Sequence, residues 1–448
     1  MDVSIVETSG LGDRSYLVSA GGVAVVIDPQ RDIDRLLNAV AERQSRVTHV
    51  LETHVHNDYV SGGLELARVT GAEYVVPAGE YVAFERRAIA DGDVIDAGPF
   101  RLRAIHTPGH THHHTSYALS DAAGTVLAVF TGGSMLYGSA GRTDLLGDEH
   151  TEDLTHAQYH SVRRLADQLP AEAAVYPTHG FGSFCAATPA SGDASTIGQQ
   201  RQDNPALTQD EQTYVEELLA GLSAYPAYYA HMGVINRCGP DPVDLSVPTP
   251  VDPVELRRRI DAGEWIVDLR HRTAFAAGHL SGALGFELSD SFVTHLGWLH
   301  AWGAPLTLIG DDDDQIAEAR RELVRIGVDG VTGAATEPVE TLAAGHELRA
   351  YRVADFGELA DVLDDDSTVV LDVRRPDEHR DRHIRGAVNI PVHELLERIG
   401  EVPTGEIWVH CASGYRASVA ASLLDRERRT VVLVDDDFDE AAEVLPTN

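Results

Sequence analysis

The chain has 448 residues, too many for one ordinary core, and domain sizes of roughly 100 to 200 residues predict two to four domains. Acidic residues outnumber basic ones by 71 to 35, which gives a formal net charge of -36. A charge of this sign repels nucleic acid and anionic membranes, so we expect neither as a partner.

The composition also indicates the environment of the protein. Hydrophobic residues make up 43% of the chain and acids occur along all of it, which favours folded domains over a disordered acidic tail. Lysine is absent, and this bias resembles the composition of proteins from salt-in halophiles. Cys185, Cys238 and Cys411 are odd in number and far apart, which predicts a reducing compartment. Because no signal-like start and no run of about 18 apolar residues occurs, we expect a cytoplasmic protein.

The first predicted domain covers residues 1–235. It alternates short apolar strands with loops rich in glycine and histidine. The predicted strands are 23–27, 47–51, 102–105, 126–130 and 173–176. Several of them end where histidines begin, so we expect these histidines at strand ends.

The histidines form a pattern typical of metal ligands. His54, His56 and Asp58 stand at alternating positions just past a strand, so their side chains leave the loop on a common side. The stretch HTPGHTHHHTSY adds His110, and YPTHGFGSFC adds His179. One such histidine alone is usually a core or surface residue, but together at strand ends they predict a metal site.

The order and spacing of these motifs resemble the metallo-β-lactamase fold, an αββα sandwich, with glyoxalase II and persulfide dioxygenase as the nearest members. In the hydrolases of this group, an aspartate bridges two metals. The resemblance implies that the first metal is held at the positions of His54, His56 and His110, and the second at those of Asp58, Tyr59 and His179. This sequence departs from the pattern twice, since Tyr59 replaces a histidine and Gly133 stands at the bridging position.

These departures predict one metal ion. The resemblance implies a single Fe(II), as in persulfide dioxygenases, held by His54, His110 and a carboxylate on one face. That carboxylate is missing at Gly133, so the third position is open to water, to His56, or to the extra histidines His112 and His113. Asp58 and His179 are expected as lining or alternative ligands. A zinc site formed by His54, His56 and His110 is the alternative.

A proline-dense segment and a repeat follow the first domain. Residues 236–252 predict a linker, because prolines are excluded from helix interiors and central strands. Beyond it, Asp268 and Arg270 recur as Asp372 and Arg374 at an offset of 104. Each copy reads strand, helix, strand, helix, which predicts two doubly wound α/β domains, residues 253–346 and 350–448.

The second copy contains a reactive cysteine loop. Cys411 stands between an apolar strand and an apolar helix, where converging backbone N–H groups and the helix N-terminus favour a thiolate. Arg416 adds a full charge. The loop resembles the rhodanese active loop, whose cradle for a persulfide sulfur would consist here of Ala412, Ser413, Gly414 and Tyr415. We therefore expect Cys411 and Arg416 to be catalytic.

The first copy lacks this chemistry. Gly310 aligns with Cys411, and the aspartates Asp311 to Asp314 align with the cradle. Four carboxylates cannot hold an anionic sulfur species, so we interpret this copy as a noncatalytic rhodanese-like domain that acts as spacer or docking surface.

The order of domains resembles fusions of a metallo-β-lactamase domain with two rhodanese domains in sulfide detoxification. This resemblance implies an enzyme that oxidises a low-molecular-weight thiol persulfide with O2 to sulfite and passes sulfane sulfur through Cys411 to or from thiosulfate. Tethering would raise the effective concentration of the shared intermediate. Two alternatives stay open, a zinc-dependent thioester hydrolase and a sulfur carrier with an inactive metal domain. The sequence is compatible with a homo-oligomer.

Overall fold

The structure is a computed structural model that describes residues 1–187 and 192–448. The chain forms two compact units, residues 1–244 with 324–327, and residues 245–323 with 328–448. The second predicted copy falls entirely in the second unit, and so does the first copy except for residues 324–327. No helix in these described parts is long and apolar enough to cross a membrane.

The first unit contains two six-stranded sheets. The strands of the first sheet are β1 (Asp2–Thr8), β2 (Asp13–Ala20), β3 (Val23–Ile27), β4 (Arg46–Leu51), β5 (Glu73–Pro77) and β6 (Arg87–Ile89). Those of the second are β7 (Val94–Asp96), β8 (Phe100–His106), β9 (Thr115–Asp121), β10 (Val126–Gly132), β11 (Ala174–Pro177) and β12 (Ser195–Thr196). In each sheet the strands lie side by side in chain order, in the first from β1 to β6 and in the second from β7 to β12.

Helices cover the sheets of this unit. They are α1 (Asp34–Glu42), α2 (Gly63–Thr70), α3 (Asp148–Gln168), α4 (Ile197–Asp203), α5 (Pro205–Thr208), α6 (Glu211–Gly221) and α7 (Tyr229–Cys238). One apolar cluster, with Tyr16 and Phe130, joins the facing sheets. A second packs α1 and α2 on the first sheet, and a third packs α3 and α6 on the second sheet. These layers form the predicted αββα sandwich.

The predicted strands overlap β3, β4, β8, β10 and β11. The chain leaves β4, β8 and β11 directly into the histidine loops, so the site lies along one edge of the sandwich. The predicted linker begins inside α7, which continues to Cys238 and ends where Gly239 adopts a φ of 88°. Residues 239–252 then lead to the next helix.

The second unit contains two parallel sheets and one short antiparallel pair. Its strands are β13 (Trp265–Asp268), β14 (His279–Leu280), β15 (Leu284–Gly285), β16 (Leu306–Ile309), β17 (Val331–Ala335), β18 (Leu348–Arg349), β19 (Arg352–Ala354), β20 (Thr368–Asp372), β21 (Val388–Asn389), β22 (Glu406–His410) and β23 (Thr430–Val434). The sheet orders are β15-β13-β16-β17 and β19-β23-β22-β20-β21. Read in the opposite direction, the first order is β17-β16-β13-β15, and these strands correspond in turn to β23-β22-β20-β21 of the second sheet.

Helices lie between these strands. They are α8 (Pro253–Asp261), α9 (Arg272–Ala277), α10 (Phe292–Leu299), α11 (Asp313–Arg325), α12 (Val339–Ala343), α13 (Phe356–Val362), α14 (Pro376–Asp381), α15 (Leu395–Arg398), α16 (Tyr415–Arg426) and α17 (Phe438–Val444), with 3-10 turns at Val392–Glu394 and Ile399–Glu401. Alternation of strand and helix produces the doubly wound α/β architecture expected for both copies.

The repeated Asp and Arg pairs have the same geometry in both copies. Arg270 Nη2 donates to Asp268 Oδ2 at 2.7 Å, and Arg374 Nη2 donates to Asp372 Oδ2 at 2.7 Å. Each arginine also donates to a backbone carbonyl eight residues further along the chain, at 2.9 and 2.8 Å. The repeat seen in the sequence is therefore a repeated structural clamp between a strand end and the following helix.

Candidate functional site

Three histidines from separate loops meet at the edge of the sandwich. His54, His110 and His179 are fully buried, and each offers a ring nitrogen within 4.8 Å of the others. The ring centroids lie 4.8 Å apart for His54 and His110, 5.4 Å for His54 and His179, and 5.3 Å for His110 and His179. The strand ends thus bring together one triangular set of imidazoles.

The Nδ1 atom of His54 is held by a hydrogen bond within the protein. The Thr53 hydroxyl donates its proton to Asp28 Oδ2 at 2.7 Å. The hydroxyl oxygen of Thr53 therefore accepts the proton of His54 Nδ1, which lies 2.9 Å away. Thr53 N also donates to Asp28 Oδ1 at 2.7 Å. This arrangement leaves the lone pair of His54 on Nε2, directed to the centre of the triangle.

The other two rings are held in the same way. His110 Nδ1 donates to the carbonyl oxygen of Arg142 at 2.7 Å, and His110 Nε2 has no hydrogen-bond partner among the described residues. His179 Nδ1 lies 2.9 Å from Asp13 Oδ1, and His179 Nε2 lies 3.5 Å from His54 Nε2. Carbonyl and carboxylate oxygens accept only, so Nε2 is the free nitrogen in each ring.

This donor set fits a single transition-metal ion. Burial lowers the pKa of His54 well below its usual range and, with the nearby His179, lowers that of His110 to about 3. Both are therefore neutral imidazoles, the form that binds Fe(II) or zinc. Burial opposes a charge on His179, but Asp58 and Asp13 outweigh it and raise its pKa well above its usual range, so this ring would release its Nε2 proton when a metal binds. Three imidazole ligands leave further coordination positions open.

His56, an expected ligand, lies beside the triangle, with its ring centroid 4.1 Å from that of His54, but its Nε2 faces two carboxylates. Its Nε2 lies 3.2 Å from Glu52 Oε2 and 3.3 Å from Asp28 Oδ1. Burial opposes a charge on this ring, but the two carboxylates outweigh it and raise the pKa of His56 to about 9. With His56 protonated, the three side chains form a buried ion-paired cluster; Asp28, Glu52 and His56 also offer ligand atoms within 4.8 Å of one another.

Tyr59 supports His56 in this position. The two rings stack with centroids 4.3 Å apart, and the Tyr59 hydroxyl lies 3.0 Å from His56 Nε2. Burial raises the pKa of Tyr59 well above its usual range, so the hydroxyl is neutral. The residue that replaces a second-metal histidine therefore belongs to the packing behind the site.

Asp58, expected as a lining or alternative ligand, contacts His179. Its Oδ2 is 3.0 Å from His179 Nδ1, the same nitrogen that faces Asp13. His56, Asp58 and His179 also offer atoms within 4.8 Å of one another, but His179 belongs to both sets. Because its Nδ1 is taken by carboxylates, His179 has only Nε2 left for a metal, which favours one ion over two.

Gly133 explains how the His110 ring fits. A Cβ added at this glycine would overlap the His110 ring, and Gly133 N donates to His114 Nε2 at 3.1 Å. That hydrogen bond uses the free nitrogen of His114, so His114 cannot be a ligand. In this structure, the position of the missing bridging carboxylate is filled by the imidazole of His110.

His113, expected as a replacement ligand, does not join the cluster. It is exposed, and its ring lies against the backbone of Gly79. His112 is exposed too and contacts His150, with ring centroids 4.8 Å apart. Both side chains lie in the turn before β9 and are exposed, and His179 lies at the third corner of the triangle.

Sequence reasoning missed Asn236, which holds the metal-binding loop. Its side chain accepts from Ser61 N at 2.9 Å and donates to the carbonyls of His56 and Tyr59 at 2.9 and 2.8 Å. It also missed Asp13 on β2, which has no neighbouring motif.

The predicted cysteine loop joins β22 to α16. Cys411 is buried, with 2% of its surface exposed, and Gly414 caps the helix with a φ of 88° and a ψ of -32°. Cys411, Ala412, Ser413 and Gly414 thus turn the chain from strand into helix, and Tyr415 opens α16. The positive φ at Gly414 favours glycine over other residues.

Arg416 is paired more closely than expected. Its two terminal nitrogens donate to both carboxylate oxygens of Glu378, at 2.6 and 2.9 Å. Its charge is therefore shared with Glu378 on α14. This fork ties the cysteine loop to the preceding helix and restricts how much of the charge reaches Cys411.

The corresponding loop of the first copy is closed by its own side chains. Asp311 N donates to Gln315 Oε1 at 2.7 Å, and Gln315 N donates to Asp312 Oδ1 at 2.8 Å. These backbone N–H groups are not free to hold a ligand. This closed loop, with Gly310 in place of a cysteine, agrees with the interpretation of the first copy as noncatalytic.

Known proteins resemble both parts of the chain. Residues 11–179 match the metallo-beta-lactamase superfamily, and residues 355–443 match the rhodanese-like domain. The probable polyketide biosynthesis zinc-dependent hydrolase BaeB of Bacillus velezensis is 31% identical over 164 residues, 36% of this chain and 68% of that protein. The mitochondrial persulfide dioxygenase ETHE1 of Homo sapiens is 29% identical over 248 residues, 55% of this chain and 83% of that protein.

A solved structure extends this likeness. The metallo-beta-lactamase from Staphylococcus aureus subsp. aureus COL matches with a TM-score of 0.67 at 26% identity, over 75% of this chain and 98% of that one. Fold, histidine cluster and cysteine loop agree with these matches. The chain is therefore a member of the metallo-beta-lactamase superfamily that also carries a rhodanese-like domain at residues 355–443.

Proposed function

We propose that this protein is a persulfide dioxygenase coupled to a sulfurtransferase. The observation that carries the proposal is the presence, in one chain, of a buried histidine cluster that could hold a metal ion and an intact cysteine loop. The persulfide dioxygenase among the relatives supports the first activity, and the rhodanese-like match supports the second. The two activities share one intermediate, a sulfane sulfur.

The overall reaction of the first unit would consume a low-molecular-weight persulfide. In balanced form, RSSH, O2 and H2O give RSH, sulfite and two protons. Fe(II) bound by His54, His110 and His179 would supply the redox chemistry with O2. We assign the third ligand to His179 because its free Nε2 faces His54 at 3.5 Å.

The surrounding residues would hold the ligands without joining them. Asp28 orients His54 through Thr53, and the Arg142 carbonyl orients His110. Asp13 orients His179. Burial of all three rings excludes bulk water from the ligand atoms and strengthens each of these contacts.

The second unit would move the sulfane sulfur. A persulfide on Cys411 transfers its terminal sulfur to sulfite, the Cys411 S–S bond breaks, and the products are thiosulfate and the Cys411 thiolate. The reverse transfer would load Cys411 from thiosulfate. The N-terminal end of α16 faces this loop, and its partial positive charge favours the anionic sulfur.

Oxygen uptake by anaerobically purified, Fe(II)-loaded protein tests the proposal, with glutathione persulfide as the probe and KCl as the supporting salt. We expect one sulfite, or one thiosulfate formed from it, for each O2 consumed. Absence of uptake with an intact Cys411 activity would instead support a sulfur carrier whose metal domain is inactive.

A zinc-dependent thioester hydrolase is the second candidate. BaeB, a relative, is described as a zinc-dependent hydrolase, and three imidazoles also suit zinc. In that case the zinc-loaded protein would hydrolyse an acylated glutathione, and the Fe(II)-loaded protein would consume no O2. Comparing both metals and both substrates on one preparation separates the two candidates.

A further inference from the structure

The cysteine-less copy contacts the cysteine loop of the second copy. Tyr415, which opens α16, donates its hydroxyl proton to the carbonyl oxygen of Glu287 at 3.2 Å. The ring of His295 lies 5.3 Å from that of Tyr415. Both copies belong to the same compact unit, so these contacts are part of its packing.

A carboxylate lies directly beside the loop. Asp435 follows β23, and a Cβ added at Gly414 would overlap its Oδ1. A thiosulfate dianion or a persulfide anion entering this loop would meet the charge of Asp435. Two like charges at short range repel strongly in a partly buried site.

Arg272 offsets this charge from the other copy. Its Nε donates to Asp435 Oδ1 at 2.7 Å, and its Nη1 donates to Glu287 Oε2 at 2.8 Å. The side chains of Arg272 and Asp435 are only 23% and 14% exposed, so solvent screens this pair incompletely.

The arginine is specific to the first copy. At the repeat offset of 104, Arg272 corresponds to Pro376, which cannot supply a charge. Arg416, the cation of the loop itself, is already forked onto Glu378. The cysteine-less copy therefore contributes a charge that the cysteine-bearing copy does not provide at Asp435.

We propose that Arg272 is a positioning residue for sulfurtransfer at Cys411. It holds the Asp435 carboxylate beside Gly414 and offsets part of its charge, so that an anionic sulfur substrate can enter. The inference rests on the proposed sulfurtransferase activity and gives the cysteine-less copy a role beyond that of a spacer. The step it assists is attack of the Cys411 thiolate on the outer sulfur of thiosulfate, which forms the cysteine persulfide and releases sulfite.

Steady-state transfer from thiosulfate to cyanide by the full chain tests the kinetic part. We expect Arg272→Gln to raise the KM for thiosulfate about tenfold, with a smaller effect on kcat, because an uncompensated charge repels the dianion. Added KCl should reduce the difference. Arg272→Lys, which keeps the charge, should restore most of the affinity. Arg258→Gln, which removes an exposed ion pair on α8, is the matched control and should behave as wild type.

Asp435→Asn separates charge from packing. If Arg272 acts by neutralising Asp435, the double variant Arg272→Gln with Asp435→Asn should recover a KM near that of wild type. A double variant no better than Arg272→Gln would overturn the proposal, as would an unchanged KM in Arg272→Gln. Asp435→Asn alone should bind thiosulfate at least as well as wild type, which tests the idea even if Arg272→Gln does not fold.

Alkylation of Cys411 provides a readout without turnover. Iodoacetate is anionic and iodoacetamide is neutral, so the ratio of their rates reports the local potential. The rate with iodoacetate relative to the rate with iodoacetamide should fall in Arg272→Gln and recover in the double variant. Wild-type protein that fails to turn over thiosulfate would count against the proposed function, whereas an unchanged ratio would count against the role of Arg272.

Discussion

His179 Nε2 lies 3.5 Å from His54 Nε2, although 125 residues separate the two histidines in the chain. Both nitrogens are buried. The Nδ1 atom of His54 donates to the Thr53 hydroxyl, and the Nδ1 atom of His179 faces the Asp13 carboxylate. Asp58 and Asp13 favour the protonated form of His179, so its Nε2–H donates to the lone pair of His54 Nε2, and a bound metal ion would replace that proton. With His110 at the third corner, the pair defines the candidate metal site to which the first two of four predictions apply, whereas the third concerns sulfurtransfer and the fourth acid stability.

The first prediction concerns the third ligand. His179→Ala should weaken metal binding by more than about a hundredfold, because even the loss of a ligand's supporting partner costs up to that amount. Metal content after dialysis, measured by mass spectrometry, checks this. The control is His113→Ala, which removes an exposed histidine and should leave the metal content unchanged. Retention of metal in His179→Ala, with loss in His113→Ala, would contradict the assignment.

The second prediction concerns the missing carboxylate. A simple restoration of the family pattern, Gly133→Asp, should lower metal content and not raise it. The reason is that any side chain at position 133 overlaps the His110 ring and must displace it. Gly400→Asp, at an exposed glycine with open space around it, is the charge-matched control. Tighter Fe(II) binding by Gly133→Asp would show that His110 can move aside.

The third prediction separates the two activities. Cys411→Ser should reduce thiosulfate-dependent sulfurtransfer by at least about a hundredfold, since a serine hydroxyl is a far weaker nucleophile than a thiolate. Oxygen uptake with glutathione persulfide should persist. The control, Cys238→Ser, changes an exposed cysteine and should retain both activities. Loss of both activities in Cys411→Ser would contradict two separate sites.

The fourth prediction concerns acid stability. Burial lowers the pKa of His410 to about 4, although the Asp372 carboxylate, 4.0 Å from Nε2, favours the charged ring. The folded state therefore favours the neutral ring. This contribution to stability is fully present above the ordinary pKa of about 6.5 and is lost as pH falls from there toward 4. The loss for one such group is about 3 kcal/mol at most.

His410→Phe should remove this part of the pH dependence. The new ring can keep the stacking on Phe438, whose centroid lies 5.4 Å from that of His410. Denaturant unfolding followed by tryptophan fluorescence checks the result, because Trp265, Trp298, Trp302 and Trp408 all lie in the second unit. The control His346→Gln, at an exposed histidine, should keep the wild-type pH profile. An equally steep acid loss in His410→Phe would contradict the prediction.

The local pattern of the sequence determined much of the fold. Apolar runs bounded by glycine and histidine predicted the strands that became β3, β4, β8, β10 and β11. The repeat from Asp268 to Asp372 predicted two similar parallel sheets, and the segment around Cys411 predicted a turn from strand into helix. These features depend on residues close together in the chain, so they can be read from it.

The tertiary structure decided how the residues divide between ligands and supports. Ring orientation depends on distant partners such as Asp28, Arg142 and Asp13, which fix the Nδ1 atoms of the three histidines. The spacing of His54 and His56 cannot show that one ring faces the centre and the other a pair of buried carboxylates. Likewise, only packing within the second unit brings Arg272 to Asp435, because 163 residues separate them in the chain.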